Sequence, residues 1–214
     1  EFFSTDDEDR DPAAPRRKKT PAEIWYRLKL IDNRGHPTRR GILFSFFHRG
    51  EGLAIAAALE DPHYAPEDLL WDVANLRAGH RFDILGNASG RLRMTCRQAY
   101  QNATYEGYLD KGVPVEYGEG ASELLRELAA DPSAKYKRID DELRTGDIER
   151  VSLEWRSILN HIAHAPEYEW DRWRDFQETV RDYVARHPSS GVMVDAPPLT
   201  AQQRVRPAGP FRFR

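Results

Sequence analysis

The sequence predicts a mainly α-helical protein that ends in an irregular, basic C-terminal tail. Apolar residues recur every three or four positions in several stretches, and proline or glycine separates these stretches. The two longest stretches lie in the C-terminal half, and each has an apolar stripe of helical period. Hydrophobic residues make up 40% of the 214 residues, with 9 Phe, 9 Tyr and 5 Trp, so the chain has enough apolar surface for a folded core.

The chain is predicted to become ordered at Thr20. Residues 1–19 are predicted to be a disordered linker, because an acidic run is followed there by a basic run and apolar residues are few. The sequence Thr20-Pro21-Ala22-Glu23 has the pattern of a capping box with proline at the first helical position, which predicts the start of a helix. The predicted apolar stripe of this helix is Ile24, Leu28 and Ile31.

Three more helices are predicted in the following fifty residues. A turn at residues 33–35 ends the first helix, and Thr38 can cap the second. An alanine-rich segment at residues 53–59 predicts a third helix that packs closely against its neighbours. Pro66 and the two acidic residues after it predict the start of a fourth helix, since negative charge in the first turn complements the helix dipole.

A glycine-rich stretch after a predicted helix at residues 91–100 marks a boundary between two subdomains. Residues 20–112 are predicted to form the first helical subdomain, and residues 113–188 the second. Residues 189–214 are predicted to be an irregular tail, whose last part contains arginines and no acidic residue.

Four helices are predicted in the second subdomain. Short helices are expected at residues 121–129 and 133–143. Asp147 is predicted to cap a long helix, and Pro166 is predicted to begin the next one. The last two helices have matching apolar stripes, so we expect them to pack as an antiparallel pair.

We find no motif for a self-contained catalytic site in the sequence. The phosphate-binding loop G-x-x-x-x-G-K-[ST], the dinucleotide fingerprint G-x-G-x-x-G and the nucleophile motif G-x-S-x-G are all absent. Cys96 has no recognisable base near it in sequence, so we interpret it as a buried structural thiol. His161 and His164 have the spacing of a helical pair, but zinc needs three or four ligands. A histidine pair near a helix C-terminus is the simpler interpretation.

The composition also bounds the cellular location. Cys96 is the only cysteine, which excludes an internal disulfide. No apolar run approaches the roughly 18 residues of a membrane span, and no secretory signal opens the chain. We therefore expect a cytoplasmic protein that makes no membrane contact. The chain begins at Glu1 rather than at Met, and we expect it to be a piece of a longer protein.

Nucleic-acid contact can be predicted only from local basic patches, because the net charge of the whole chain is -3. The first patch is Arg39-Arg40, in the first turn of a predicted helix, where the dipole disfavours cations. The second is a stretch that contains Arg77 and Arg81. The candidate nucleic-acid-binding residues are therefore Arg39, Arg40, Arg77 and Arg81. Simple solvation of these side chains is the alternative.

Residues 26–41 resemble the degenerate winged-helix segment that follows the second RecA-like domain in DExH-box helicases of superfamily two. The family pattern is a leucine-bearing helix, Leu-Ile/Leu-Asp, a glycine turn and Thr-x-x-Gly. An apolar helix and an alanine-rich helical bundle follow in the family, and the resemblance covers about residues 20–110. In this chain the pattern corresponds to Leu28, Leu30-Ile31-Asp32, Gly35, Thr38 and Gly41.

The resemblance implies a degenerate winged helix followed by a helical bundle that helps to close a channel around single-stranded RNA or DNA. Its partners would be that strand and the RecA-like motor domains of the same polypeptide. ATP and magnesium are implied only for a motor upstream of Glu1, since this chain lacks the ATPase motifs. Arg39, Arg40, Arg77 and Arg81 would contact the nucleic-acid backbone.

Two other functions fit the same sequence. A helical protein-interaction module could bind a protein partner through residues 147–186 and the basic tail, and the net charge of -3 favours this alternative. A free-standing winged-helix DNA-binding protein would present base-reading side chains on its recognition helix. The helix after Thr38 is instead rich in Phe and Leu, which indicates burial.

Overall fold

Helices dominate the part of the chain that the computed structural model describes, which confirms the mainly α prediction. The predicted linker at residues 1–19 and the predicted tail at residues 189–214 lie outside the described residues. The described residues are 20–48, 50–79, 82, 90–134 and 145–188. The α-helices are α1 Pro21–Arg27, α2 Arg39–Ser45, α3 Glu51–Glu60, α4 Pro66–Asp72, α5 Arg91–Tyr100, α6 Ala121–Ala130, α7 Thr145–His164 and α8 Asp171–Arg186.

Two short 3-10 helices and one β-hairpin complete the described elements. The first 3-10 helix continues directly from α4, and the hairpin follows α5. The two strands are antiparallel, with Leu109 opposite Pro114. The 3-10 helices are Val73–Arg77 and Pro132–Ala134, and the strands are β1 Leu109–Asp110 and β2 Val113–Pro114.

Helix α1 begins where the sequence predicts and ends one turn earlier. Both halves of the capping box form, because Glu23 N donates to Thr20 Oγ1 and Thr20 N donates to the Glu23 carboxylate. The helix stops after Arg27 because Lys29 adopts a left-handed conformation with φ of 57°. Lys29 N then donates to Tyr26 O, and Leu30 N donates to Trp25 O, which is the Schellman pattern of a helix end. Ile31 therefore lies beyond the helix.

Helix α3 is the centre of the core. Its residues from Glu51 to Leu59 are all buried, so the helix is enclosed on every side. It contacts α2, α5, β2 and the 3-10 helix Val73–Arg77. Its alanines allow these neighbours to approach closely, as the alanine-rich sequence predicted.

Asn75, in the 3-10 helix after α4, caps helix α6 from a distance. The residue before α6 is Gly120, which has no side chain to accept from the free N–H groups of the helix. Asn75 Oδ1 instead accepts from Ser122 N at 2.9 Å, and Asn75 Nδ2 donates to Ser122 Oγ at 3.2 Å. Both residues are buried, so this polar contact has no competing water at its surface.

Replacing Asn75 with leucine is expected to lower the free energy of unfolding by about 2 kcal/mol, because the buried Ser122 N–H loses its acceptor. Urea denaturation followed by circular dichroism would measure the change. Ser122→Ala is the matched control: it removes only the hydroxyl and should cost about 1 kcal/mol. Equal effects for the two variants would contradict the capping role of Asn75.

Helices α7 and α8 pack as the antiparallel pair that the sequence predicted. Arg181 Nε donates to Ala163 O at 2.9 Å, and Arg156 Nη1 donates to His187 O at 3.0 Å, so later positions along α8 contact earlier positions along α7. Trp155 joins the pair to α4, because its Nε1 donates to Leu70 O at 2.8 Å.

The start of α8 differs from the prediction. The helix begins at Asp171 rather than at Pro166. The intervening loop supplies carbonyl oxygens to buried donors: Trp173 Nε1 donates to Pro166 O, and Gln177 Nε2 donates to Ala165 O. Asp147 also differs, since it lies inside the first turn of α7 rather than at the cap. Most of the predicted helix at 133–143 lies outside the described residues.

The hydrophobic core extends along the chain from Leu28 to Val180 as one cluster. The predicted boundary between residues 112 and 113 falls inside the β-hairpin. Side chains from both predicted subdomains contribute to the cluster. Within the described residues, none of the helices has the length and apolar character that crossing a bilayer requires.

Candidate nucleic-acid interface

The turn between α1 and α2 is held by Thr38. Its Oγ1 accepts from Gly41 N at 3.1 Å, which caps α2, and donates to Lys29 O at 2.6 Å. Thr38 N donates to Leu30 O at 2.9 Å, so the two helices are tied together through this residue. Thr38 therefore fixes where α2 begins relative to the end of α1.

The loop inside this turn is organised by Asp32. Its Oδ1 accepts from Arg34 N at 2.8 Å and from His36 N at 2.9 Å. The hydrogen bond from His36 N is the largest effect that holds the pKa of the Asp32 carboxyl below its ordinary value. Gly35 has φ of 81°, a conformation that glycine adopts at little cost. The loop leaves the Arg34 side chain exposed.

Arg39 is an exposed residue of the predicted site. Its guanidinium lies 5.3 Å from the centre of the Trp170 ring, in cation–π contact. This contact connects the start of α2 to the start of α8 and restricts the guanidinium to one region of the surface. Arg39 is therefore positioned to meet an anionic ligand from solvent.

Arg40, the next residue, points into the protein. Its side chain is only 9% exposed. Arg40 Nε donates to Glu60 Oε1 at 2.9 Å, and its Nη2 pairs with the other oxygen of that carboxylate. Arg40 Nη1 donates to Leu28 O at 3.0 Å. A phosphate contact by Arg40 would require these bonds to break.

Arg77 is likewise engaged inside the protein, and Arg81 lies outside the described residues. Arg77 Nε donates to Glu51 Oε1 at 2.6 Å, and its Nη1 donates to Glu154 Oε2 at 3.3 Å. The structure thus joins Arg77 to α3 and α7, whereas Arg39 lies beside α8. The described arginines of the predicted site do not converge on one surface.

Arg91 and Arg93, both in α5, also pair with acidic side chains within the fold. Arg91 pairs with Asp68, and its guanidinium lies 4.4 Å from the centre of the Tyr64 ring. Arg93 Nε lies 2.6 Å from Glu119 Oε2. Burial has the largest effect on the pKa of Glu119 and raises it above the ordinary value. These arginines stabilise the contacts of α5.

A surface that the sequence reading missed lies at residues 25–39, here called the basic segment. Its exposed aromatic residues are Trp25 at 41% and Tyr26 at 36%. Asp32 is the only acidic residue in the segment. The signal was present in the sequence as two adjacent aromatic residues followed by Arg27 and Lys29. The exposed basic residues of the segment are Arg27, Lys29, Arg34 and Arg39.

A cleft of about 280 Å³ lies between the start of α3 and the β-hairpin. Its lining includes His48, Glu51, Tyr108 and Glu116. Glu51 is 2% exposed and is paired with Arg77. Two carboxylates in the lining make this cleft unfavourable for phosphate, in contrast to the basic segment.

The other candidate chemical groups have structural roles. Cys96 is buried as predicted, and burial raises the pKa of its thiol to about 12, which removes its reactivity at neutral pH. His161 Nε2 lies 2.5 Å from Phe46 O, and His164 Nδ1 lies 2.8 Å from Asn160 O. Within the described ranges, no group of three or more His, Cys, Asp or Glu side chains converges to hold a metal ion.

Comparison with known proteins identifies no relative of this chain. No family model, no curated protein and no solved structure matches this chain.

Proposed function

We propose that this chain is the accessory region of an ATP-dependent DExH-type helicase of the cytoplasm, and that its basic segment contacts the backbone of single-stranded nucleic acid. The observation that carries the proposal is the composition of residues 25–39. Four exposed cations and two exposed aromatic residues lie there beside a single acidic residue, in a chain whose net charge is -3. Phosphate contacts and base stacking are the two components of sequence-independent strand binding.

The local structure of the motif supports the resemblance to the degenerate winged helix. The helix, glycine turn and threonine-capped helix occur in the family order at α1, Gly35 and α2. In the proposed arrangement, α1, the turn and α2 form the degenerate winged helix, and the later helices form the bundle. The RecA-like motor domains, with ATP and magnesium, would belong to a preceding part of the same polypeptide.

Replacing Arg39 with alanine is expected to weaken binding to single strands and to flatten its salt dependence. The loss of one phosphate contact should reduce the slope of log K against log salt by about 0.7. Fluorescence anisotropy with labelled oligothymidylate and oligouridylate, measured across a salt series, would determine the slope.

The matched control is Arg174→Ala, which removes one exposed positive charge from α8. That variant has the same net charge as Arg39→Ala, so a specific contact should affect only the latter. Equal slopes for the two variants would remove Arg39 from the site. Failure of the unmodified chain to bind either strand at low salt would refute the nucleic-acid function.

A further inference from the structure

Trp25 differs in exposure from the tryptophans of the core. Trp155, Trp170 and Trp173 are all buried, whereas Trp25 is 41% exposed. Tryptophan is a highly buried residue on average, because its ring has a large apolar surface. An indole on the outside of α1 therefore leaves apolar area in water that a ligand could cover.

The exposed indole is held in a fixed orientation. Trp25 Nε1 donates to the hydroxyl oxygen of Tyr108 at 3.1 Å, across 83 positions of sequence. The Tyr108 ring in turn lies 6.1 Å from the ring of Phe44, centre to centre. The hydrogen bond connects α1 to the residue that precedes β1, so the ring of Trp25 is ordered before any ligand arrives. Pre-organisation of this kind lowers the entropic cost of binding.

The charges around Trp25 determine which ligand fits. Arg27 and Lys29 follow within four positions, both exposed, and Glu23, two positions before Trp25, is engaged in the capping box with Thr20. A ligand that covers the ring should therefore be planar or apolar in one part and anionic in another. A nucleotide combines a π-face with a phosphate in this way, and every base can stack irrespective of its sequence.

We infer that Trp25 is a base-stacking residue for single-stranded nucleic acid, and that Tyr108 is the positioning residue that orients its ring. The inference rests on the proposed function and specifies it further: the basic segment holds the bases as well as the phosphates. Stacking on Trp25 favours single strands over duplexes, because the bases of a duplex already stack on one another.

The test compares two ligands of equal charge: oligothymidylate and an abasic oligonucleotide of the same length. Trp25→Ala should weaken oligothymidylate binding about tenfold and leave binding of the abasic strand unchanged. Trp25→Phe should restore part of the affinity, since phenylalanine retains an aromatic face. Tyr108→Phe should give a smaller loss for oligothymidylate alone, because it removes the hydrogen bond but not the indole.

The outcomes separate this inference from the proposed function. If Trp25→Ala leaves oligothymidylate binding unchanged while Arg39→Ala still flattens the salt dependence, stacking is refuted and the backbone contact stands. An equal loss for both strands would also refute stacking. If polyglutamate of matched length binds as tightly as oligothymidylate, charge alone accounts for binding and Trp25 has no base to hold.

Discussion

Replacing Gly41 with alanine is expected to lower the free energy of unfolding by about 3 kcal/mol. A Cβ atom at this position would lie 1.9 Å from Leu30 O and 2.8 Å from Leu30 C. Both atoms belong to the backbone, so no side chain can rotate away. Leu30 O also accepts from Thr38 N, and moving it would break the bond that ties α1 to α2.

Gly146→Ala is the matched control for this prediction. Gly146 lies in α7, and a Cβ there meets no atom within 4 Å. The same chemical change should therefore stabilise the protein by about 0.5–1 kcal/mol through higher helix propensity. Urea denaturation would show whether the free energy of unfolding falls in Gly41→Ala and rises in Gly146→Ala. A neutral result for Gly41→Ala would mean that α2 does not pack against Leu30 as described.

The Thr-x-x-Gly pattern of the resemblance thus has a structural explanation. Thr38 caps α2 and ties it to the end of α1, and Gly41 permits α2 to approach Leu30 within backbone contact. These requirements concern the geometry of a helix–turn–helix and not a ligand. The pattern therefore indicates a local fold more strongly than a function, and the functional proposal depends on the exposed residues around it.

The sequence predicted helices best where the signal is local. The capping box at Thr20, the cap at Thr38 and Pro66 each lie where the structure starts a helix. The helix at Arg91–Tyr100 has the predicted bounds. In each case the residues that determine the structure lie within one turn of one another.

Features that depend on distant contacts could not be predicted in the same way. Pro166 has the local character of a helix start, yet its carbonyl is held by Trp173 and the helix begins five residues later. The cap of α6 comes from Asn75, which is 47 positions from Ser122. Propensity and spacing contain no information about such partners.

The prediction of the site also failed where a side chain depends on a distant partner. Nothing local distinguishes Arg39 from Arg40, because both lie in the first turn of α2. The carboxylate that draws Arg40 inward is Glu60, 20 positions away. The exposure of Trp25 could not be predicted locally either, because the residue that contacts its ring nitrogen is Tyr108, 83 positions away.

Arg40→Ala is expected to destabilise the fold by about 3 kcal/mol, whereas Arg39→Ala should change stability by less than about 0.5 kcal/mol. Removing the Arg40 guanidinium leaves Leu28 O without this donor and the Glu60 carboxylate without its cation. Glu60 is 38% exposed and can be partly rehydrated, which places the cost at the lower end of the range for broken buried pairs.

A double-mutant cycle that combines Arg40→Met with Glu60→Gln would measure the energy of the ion pair. Methionine preserves much of the aliphatic part of the arginine side chain, so the packing of that part is little changed. A coupling energy of about 1 kcal/mol or more between Arg40→Met and Glu60→Gln would support the structural role of the pair. Binding measurements on the same variants test whether the Arg40 guanidinium holds the fold or contacts phosphate. If Arg40→Met remains folded and retains the salt slope of the unmodified chain, its guanidinium serves the fold. If the slope falls as it does in Arg39→Ala, the guanidinium must leave Glu60 to reach phosphate, and the pair at the base of α2 would then be a bond that nucleic acid breaks on binding.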